Sequence, residues 1–319
     1  MSRRILIGTD EAGYGPNLGP LTVTATAWDC PAGLDPHSWW SEFDNVITNA
    51  PTRGDSRLFV ADSKAVFSSG DGLEELEVAV LAFLMTLGYP LSTIDSLGQA
   101  IAGPEFAEYY REEIWNPCPG TSLPCDASED HIHEWQETLK DAMQEKDIRL
   151  LGIRSCIMFP KEFNRLVELS DSKGTVLSIA TLQLVRCLAD EWGQSNSVLV
   201  VCDKHGGRNR YDGLIASQFD DQFVFRVEES REKSRYKMGS IEFCFRTKAE
   251  ELMPVALSSM VSKYLREVLM NQFNTFWARQ VPGLKPTQGY PVDAKRFRDD
   301  IALMIQQLNI DDTALWRSR

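Results

Sequence analysis

The chain has 319 residues, 43% hydrophobic and 25% charged, so it is long enough to bury a core without cross-links, which excludes small stapled scaffolds and disordered chains. The formal net charge of −13 argues against a general nucleic-acid-binding protein, because phosphate binding depends on Lys and Arg. The charge is uneven, however. Residues 204–248 hold ten Lys or Arg against seven Asp or Glu, whereas residues 100–150 hold four against twelve. An acidic protein with one basic segment is compatible with a phosphate-bearing ligand if that segment lies beside the active site.

The sequence also predicts the compartment. The N-terminus reaches charged residues before a secretory apolar region forms, and the longest apolar stretch, at about 78–91, is too short to span a bilayer. The cysteines number seven, which is odd, and several lie inside apolar runs, as reduced core thiols do. We therefore expect a soluble cytoplasmic protein without a membrane partner.

The first half of the chain is predicted to begin with two strands joined by a glycine-rich loop. Ile5–Ile7 is a short apolar run typical of a buried strand, and this strand is predicted to end at Asp10. Residues 21–28 alternate with period two and are rich in β-branched side chains, which predicts the second strand. Residues 72–87 carry leucines at helical spacing, which predicts an amphipathic helix. Residues 98–150 lack clean periodicity and contain several prolines and cysteines, so we predict an acidic insertion or lid there.

Periodic elements return after residue 150, and the overall pattern predicts an α/β protein. The run Ser197–Asp203 is typical of a buried parallel strand with a carboxylate at its carboxyl end, where open α/β sheets place their chemistry. We find no internal repeat. The predicted strands are 151–157, 197–203, 223–227 and 241–246, and the predicted helices are 174–192 and 254–276.

Carboxylates occur at the ends of three predicted elements. Asp10 and Glu11 end the first strand, Asp203 ends a buried strand, and Glu250 and Glu251 precede the last long helix. Asp10 and Glu11 alone would fit a tight polar turn equally well. Together the groups are the hard oxygen ligands that suit Mg²⁺ or Mn²⁺, and the chemistry they favour is two-metal phosphoryl hydrolysis. Spacing does not choose between Glu250 and Glu251.

Five segments, in the order of the family, resemble type 2 ribonuclease H, meaning ribonuclease HII with some features of ribonuclease HIII. The opening Asp-Glu-Ala-Gly-Tyr-Gly-Pro-Asn-Leu-Gly-Pro looks like the family's first motif, except that Tyr14 stands where ribonuclease HII has arginine. The segment Arg-Thr-Lys-Ala-Glu-Glu resembles the last catalytic segment in its ribonuclease HIII form. The matching segments, which span most of the chain, are 10–20, 61–64, 151–190, 200–203 with 246–263, and 289–291.

This resemblance implies a ribonuclease H-like fold, with a mixed five-stranded sheet flanked by helices. The catalytic domain would comprise 1–97 and 151–319, with 98–150 as an inserted acidic subdomain. The implied activity is hydrolysis of the RNA strand of RNA/DNA hybrids, or cleavage at ribonucleotides embedded in duplex DNA, with two Mg²⁺ or Mn²⁺ ions. The implied catalytic and metal-binding residues are Asp10, Glu11, Asp203 and Glu250, with Glu251 as a rival for the last place.

The resemblance also implies substrate contacts. Glycines that flank Tyr14 admit close backbone approach to a 2′-hydroxyl, and Tyr290 would stack on the sugar. Asp62 and Lys64 either contact the substrate or cap a helix, and the basic residues after Asp203 either replace the missing arginine or form a solvated surface loop. The predicted substrate-binding residues are Gly13, Tyr14, Gly15, Asp62, Lys64, Lys204, Arg208, Arg210 and Tyr290. The alternative function is a catalytically weak ribonuclease H-like module that binds nucleic acid or a protein.

Overall fold

The computed structural model describes residues 2–67, 72–116, 120–170, 172–194, 196–220 and 222–317. No helix in these ranges is both long and apolar enough to cross a bilayer. The strands are β1 (Arg3–Ala12), β2 (Leu21–Pro31), β3 (Ile47–Thr48), β4 (Leu58–Phe59), β5 (Arg149–Met158), β6 (Ser197–Asp203), β7 (Phe225–Glu229), β8 (Lys233–Met238) and β9 (Ile241–Arg246). The α-helices are α1 (Trp39–Glu42), α2 (Ser63–Val66), α3 (Glu74–Thr86), α4 (Ile94–Ala102), α5 (Pro104–Glu112), α6 (Glu129–Glu145), α7 (Pro160–Ser170), α8 (Lys173–Trp192), α9 (Asp212–Gln218), α10 (Met253–Gln280), α11 (Pro291–Gln307) and α12 (Asp312–Leu315).

The main sheet is mixed and lies between helices, which confirms the predicted α/β class. In the described part of the chain it has seven strands in the order β5-β2-β1-β6-β9-β8-β7. β1 is antiparallel to β2 and parallel to β6, and β6 is parallel to β9. The expectation of five strands is wrong, because the charged segment after residue 223 forms the hairpin β7–β8 and extends the sheet past β9.

The two faces of the sheet carry separate hydrophobic cores. Ile5 and Ile7 of β1 pack with α8, whereas Leu6 packs on the opposite face with α10. Alternate residues of a strand point to opposite faces, so the run of apolar residues in β1 is buried on both sides. β1, which carries Asp10 and continues to Ala12, is therefore held between two helical layers.

A layer of buried hydroxyl groups joins α10 to β1. Ser258 Oγ donates to the carbonyl of Gly8 at 2.9 Å, and Ser262 Oγ donates to the carbonyl of Asp10 at 3.1 Å. Ser262 Oγ also lies within hydrogen-bond distance, 2.8 Å, of the Thr24 hydroxyl of β2. Directional bonds, and not only apolar contact, therefore hold the helix against the two strands.

The backbone of β1 approaches α10 closely at Gly8, and Gly8→Ala is expected to destabilise the fold by about 1–3 kcal/mol. A Cβ at Gly8 would lie 2.5 Å from the carbonyl carbon of Pro254, so the helix backbone would have to move. Urea denaturation monitored by circular dichroism measures the change. Gly213→Ala is the control, because a Cβ there meets nothing within 4 Å; equal stability of the two variants would contradict the prediction.

Residues 98–150, predicted as an acidic insertion or lid because they lack clean periodicity, contain α5, α6 and the end of α4. Phe106 and Tyr110 of α5 belong to the principal core. The Glu77 carboxylate of α3 accepts hydrogen bonds from the backbone N–H groups of 125–127 and from the Tyr264 hydroxyl of α10. The segment thus packs into the same core as the sheet. The division into a catalytic domain of 1–97 and 151–319 and a subdomain of 98–150 stays a prediction.

Candidate active site

Carboxylates from three parts of the chain lie at one edge of the sheet. β1 and β6 run parallel as neighbours, and Asp10 with Glu11 in β1 therefore lies beside Asp203, the last residue of β6. β9 is the other neighbour of β6, and Glu250 follows it in a short 3₁₀ helix. The Ala249 N–H of that helix donates to Asp203 Oδ1 at 3.3 Å. The topology thus brings together the three segments that the sequence predicts as catalytic.

Burial and mutual repulsion characterise this carboxylate cluster. Asp10 and Glu11 expose part of their surface, yet protein encloses both carboxylates, and this burial is the main reason that both pKa values are raised. A hydrogen bond from Ser259 opposes the shift at Asp10, whereas Asp203 adds to it at both residues. Burial also raises the pKa of Asp203. The site therefore concentrates negative charge that a cation would stabilise.

Lys64 is a cation within this acidic site. Its pKa is raised chiefly by Asp62, and Asp10, Glu250 and Tyr290 add to the effect, while burial opposes it. Asp62 Oδ1 accepts the Lys64 backbone N–H at 3.2 Å and caps α2. The capping alternative is thus confirmed for Asp62, and the same turn carries Lys64 to the carboxylates.

The structure distinguishes Glu250 from Glu251. Burial raises the pKa of Glu250, and Asp203 adds to the shift. The Glu251 carboxylate instead accepts a hydrogen bond from Arg246 at 2.8 Å, and its side chain is 52% exposed. The electrostatic contacts of Glu250 therefore associate it with Asp203, whereas Glu251 is bound to an arginine.

The donor set fits a hard divalent cation. Among the described residues, no three His, Cys, Asp or Glu side chains are arranged to hold one metal ion by themselves. Mg²⁺ does not need such a cage, because it keeps several waters and is bound through one or two carboxylates together with substrate phosphates. A cluster of carboxylates at one sheet edge is compatible with that mode of binding.

The loop after Glu11 is held from two sides by buried arginines. Gly13 has a φ of +89°, and a Cβ there would lie 2.6 Å from the Pro20 carbonyl oxygen, so the position requires glycine. Arg266 of α10 donates to a carbonyl of the same loop, at Leu18, at 3.3 Å. Arg317, only 1% exposed, donates to the carbonyls of Gly13 and Pro16. Neither arginine was among the predicted site residues, because nothing in the local sequence links residue 317 to residue 13.

Tyr14 lies within the site and not outside it. Burial raises its pKa, Glu11 adds to the shift, and Arg208 opposes it, so both charges are close to the phenol. Lys173 Nζ lies 4.7 Å from the centroid of the Tyr14 ring. A Cβ at Gly206 would lie 2.8 Å from the Tyr14 hydroxyl. Tyr14, the residue between the two glycines of the loop, therefore lies close to two of the chain's cations, Arg208 and Lys173.

Tyr290 contacts the same glycine-rich loop. A Cβ on Gly15 would be 3.8 Å from Tyr290 Cε1, and the Tyr290 side chain is 54% exposed. The carbonyl of the preceding Gly289 accepts the Asn17 N–H at 2.7 Å, which ties this segment to the loop. The loop and an exposed aromatic ring thus form one surface beside the carboxylates.

Two of the predicted basic residues have different surroundings. Arg208 donates to Thr175 Oγ1 of α8 at 3.0 Å, which keeps its guanidinium near Tyr14. Arg210 is exposed and lies 3.8 Å from Asp212 and 3.9 Å from a carboxylate oxygen of Glu229. Arg208 therefore lies at the site, whereas the partners of Arg210 lie on α9 and β7.

Lys204 and the residue after it hold the loop that follows β6. Lys204 Nζ donates to Asn209 Oδ1 at 2.8 Å, to the Ser230 carbonyl at 2.6 Å and to Ser234 Oγ at 3.2 Å. Each ammonium hydrogen thus has an acceptor within the protein. His205 is 3% exposed, and burial lowers its pKa to about 3, so the ring is neutral and structural. Lys204 retains its charge at the site but uses its hydrogen bonds to position the chain.

Asp10→Asn is expected to raise the unfolding temperature of the protein in EDTA at pH 8 by about 2–4 °C, the equivalent of about 1 kcal/mol. The pKa of Asp10 is raised to about 7 in the folded protein, so folding binds protons, and the free energy of unfolding falls as pH rises from about 4 to that value. Asn retains an oxygen for Ser259 but no charge. Thermal unfolding at pH 4 and pH 8 tests this, and the same shift at both pH values would contradict it.

No protein-family profile matches the chain, and no curated protein matches it. Solved structures similar to it include the following three. The ribonuclease HII of the complex with PCNA from Archaeoglobus fulgidus has a TM-score of 0.43 and 11% identity, over 99% of this chain and 94% of that one. Ribonuclease H2 from Pyrococcus horikoshii OT3 has a TM-score of 0.42 and 12% identity, over 98% of this chain and 92% of that one. Bst-RNase HIII in complex with Mn²⁺ has a TM-score of 0.43 and 14% identity, over 98% of this chain and 65% of that one.

Proposed function

We propose that the protein is an endoribonuclease that hydrolyses the RNA strand of RNA/DNA hybrids or cuts at ribonucleotides embedded in duplex DNA. One observation carries the proposal. Asp10 and Glu11, Asp203 and Glu250 come from three separate segments and meet at one sheet edge, beside the glycine-rich loop. These are the positions at which the sequence resembles type 2 ribonuclease H.

Asp10, Glu11, Asp203 and Glu250 would hold two Mg²⁺ or Mn²⁺ ions. When bound, such ions lower the pKa of water and stabilise the negative charge that develops on a phosphate. The raised pKa values of the carboxylates support this assignment, because closely spaced buried carboxylates need a counter-charge. Lys64 provides part of it as a fixed positive charge beside Asp10 and Glu250.

The loop beside the carboxylates has the properties that a ribose sensor needs. Gly15 has no side chain, and a Cβ there would meet only Tyr290, at 3.8 Å, so its backbone is open to close approach by a 2′-hydroxyl, the group that distinguishes RNA from DNA. Gly13 lets the chain turn beside it, with its carbonyl bound by Arg317. Tyr290 is exposed next to Gly15 and offers a face for stacking on a sugar or base. Arg208 beside Tyr14 supplies a cation for a phosphate, in place of the family's arginine.

A catalytically weak binding module remains the second candidate. Tyr14 in place of arginine and the net charge of −13 favour it. The acidic side chains favour the enzyme, because four carboxylates near one another repel a phosphate unless cations lie between them. A protein that only binds nucleic acid would lose affinity for it by carrying such a set of carboxylates.

Cleavage of end-labelled duplexes distinguishes the two candidates. One duplex carries a single ribonucleotide, one is an RNA/DNA hybrid, and a DNA duplex of the same sequence is the control. We expect products from the ribonucleotide-containing duplexes with Mg²⁺ or Mn²⁺, none with EDTA and none from DNA. If every duplex stays intact while it binds the protein, the binding module is correct.

A further inference from the structure

A groove of about 430 Å³ lies beside Asp203, between the loop after β6 and the ends of β8 and β9. Lys204, Arg231 and Lys248 line it, with Asp203 at one side. Three cations against one carboxylate contrast with the net charge of −13 of the whole chain. A groove of this charge attracts an anionic ligand to the edge of the carboxylate cluster.

Two of these cations are exposed and unpaired. Neither Arg231 nor Lys248 forms an ion pair or side-chain hydrogen bond with any described residue. Their basic neighbours do: Lys233 pairs with Glu228 at 3.2 Å, and Arg246 pairs with a glutamate at 2.8 Å. The N–H groups of Arg231 and Lys248 are therefore available to a ligand.

The turn between β7 and β8 holds Arg231 over the groove. Lys204 donates to the carbonyl of Ser230, one residue before Arg231, at 2.6 Å. On the other side, the Thr247 N–H donates to the carbonyl of Glu232 at 2.9 Å. The turn is thus bound to the residue after Asp203 and to the end of β9, which fixes the backbone that carries Arg231.

Lys248 occupies an unfavourable backbone conformation next to the site. Its φ is +56° and its ψ is 43°, the left-handed region, which costs a residue with a side chain about 1–2 kcal/mol. Such conformations persist where the surrounding structure enforces them and cluster at functional sites. Here the conformation turns the chain from β9 toward Glu250, and Lys248 lines the groove at this turn.

We propose that Arg231 and Lys248 bind a backbone phosphate of the duplex next to the position at which the strand is cut. This inference rests on the proposed function. Arginine donates charge-assisted hydrogen bonds to phosphate and lysine acts as a point charge, and such contacts position a duplex without reading its sequence. The hairpin β7–β8, which extends the sheet beyond β9, thereby acts as a substrate-binding element.

The salt dependence of duplex binding tests the inference. All proteins carry Asp10→Asn so that Mg²⁺ is present without cleavage, and the probe is an RNA/DNA hybrid. Each phosphate that the protein neutralises contributes about 0.9 to the slope of log K against log salt. Because Arg231 and Lys248 share one phosphate, we expect Arg231→Gln with Lys248→Gln to reduce the slope by about 1. The control, Lys233→Gln with Lys237→Gln on β8, removes the same charge outside the groove and is expected to leave the slope within about 0.5 of its starting value.

The outcomes separate the inference from the proposed function. Equal slopes for the groove variant and the control, with tight binding by the parent protein, overturn the groove assignment alone. If the parent protein does not bind the hybrid and the wild-type protein does not cut it, both the groove assignment and the proposed function are overturned. Arg231→Lys with Lys248→Arg retains both charges and is expected to restore the slope, which shows that the smaller slope of the Gln variant is not a folding defect.

Discussion

Asp203→Asn and Asp10→Asn are each expected to lower kcat for hybrid cleavage by at least about 10³-fold, the equivalent of about 4 kcal/mol in the activation barrier. Asp10 lies near the end of β1 and Asp203 ends β6. The Asp203 charge raises the pKa of Asp10, and the Asp62 charge acts in the same direction on both residues. Asn retains the size and one oxygen but removes the charge that a divalent ion requires. Because the charge that is removed is repelled by its neighbours, the folded state is not weakened.

Single-turnover cleavage of the end-labelled hybrid with Mg²⁺ measures this decrease. Thermal unfolding and circular dichroism of each variant exclude misfolding as its cause. Asp212→Asn is a matched control, because Asp212 is paired with Arg226 at 2.9 Å on α9, away from the cluster. Wild-type cleavage by the Asp203→Asn protein would show that the catalytic site lies elsewhere.

Glu250→Gln is expected to reduce kcat by about 10³-fold, whereas Glu251→Gln is expected to change it by less than about fivefold. The two residues are adjacent and chemically identical, so each is the control for the other. Glu250 is electrostatically coupled to Asp203. Glu251 forms an exposed ion pair with Arg246, and such pairs contribute at most about 1 kcal/mol.

The comparison uses the same hybrid at saturating Mg²⁺. A Mg²⁺ titration adds a second measurement, since removal of a ligand raises the metal concentration needed for half-maximal rate. If the Glu251 variant were the inactive one, the fourth carboxylate would be Glu251, and the arginine contact in this structure would have to break when metal binds.

Strong local patterns predicted the part of the fold that carries the carboxylates. β6 was predicted with its observed bounds because seven residues of nearly continuous apolar character end at Asp203. β9 was predicted by its alternation, and both ends lie at the same sheet edge because the strands are parallel. Spacing left Glu250 and Glu251 open, because the two residues are adjacent and only their partners in the fold, Asp203 for Glu250 and Arg246 for Glu251, distinguish them.

Elements with weak local patterns could not be predicted. α6 buries only Ile132, Leu139, Ala142 and Met143 of its 17 residues, so its helical period is hidden by charge. The pattern of β8 is similarly hidden, because lysine and arginine occupy the positions that alternate with its buried residues. Arg317 was missed for another reason: its contact with Gly13 spans 304 positions of the sequence, and no local signal reports it.

The hydroxyl layer under α10 has a consequence for catalysis rather than for stability. A hydrogen bond adds only about 1 kcal/mol to the net free energy of folding. Apolar contact is non-directional and would let the helix slide along its axis at small cost. A slide of one residue is about 1.5 Å, and an error of about 1 Å in an active site can cost about 10²-fold in rate. Since Glu250 precedes this helix and Asp10 lies in the strand beneath it, Ser258 and Ser262 set the longitudinal alignment of the two carboxylates. Variants of these serines should therefore become inactive well before they unfold.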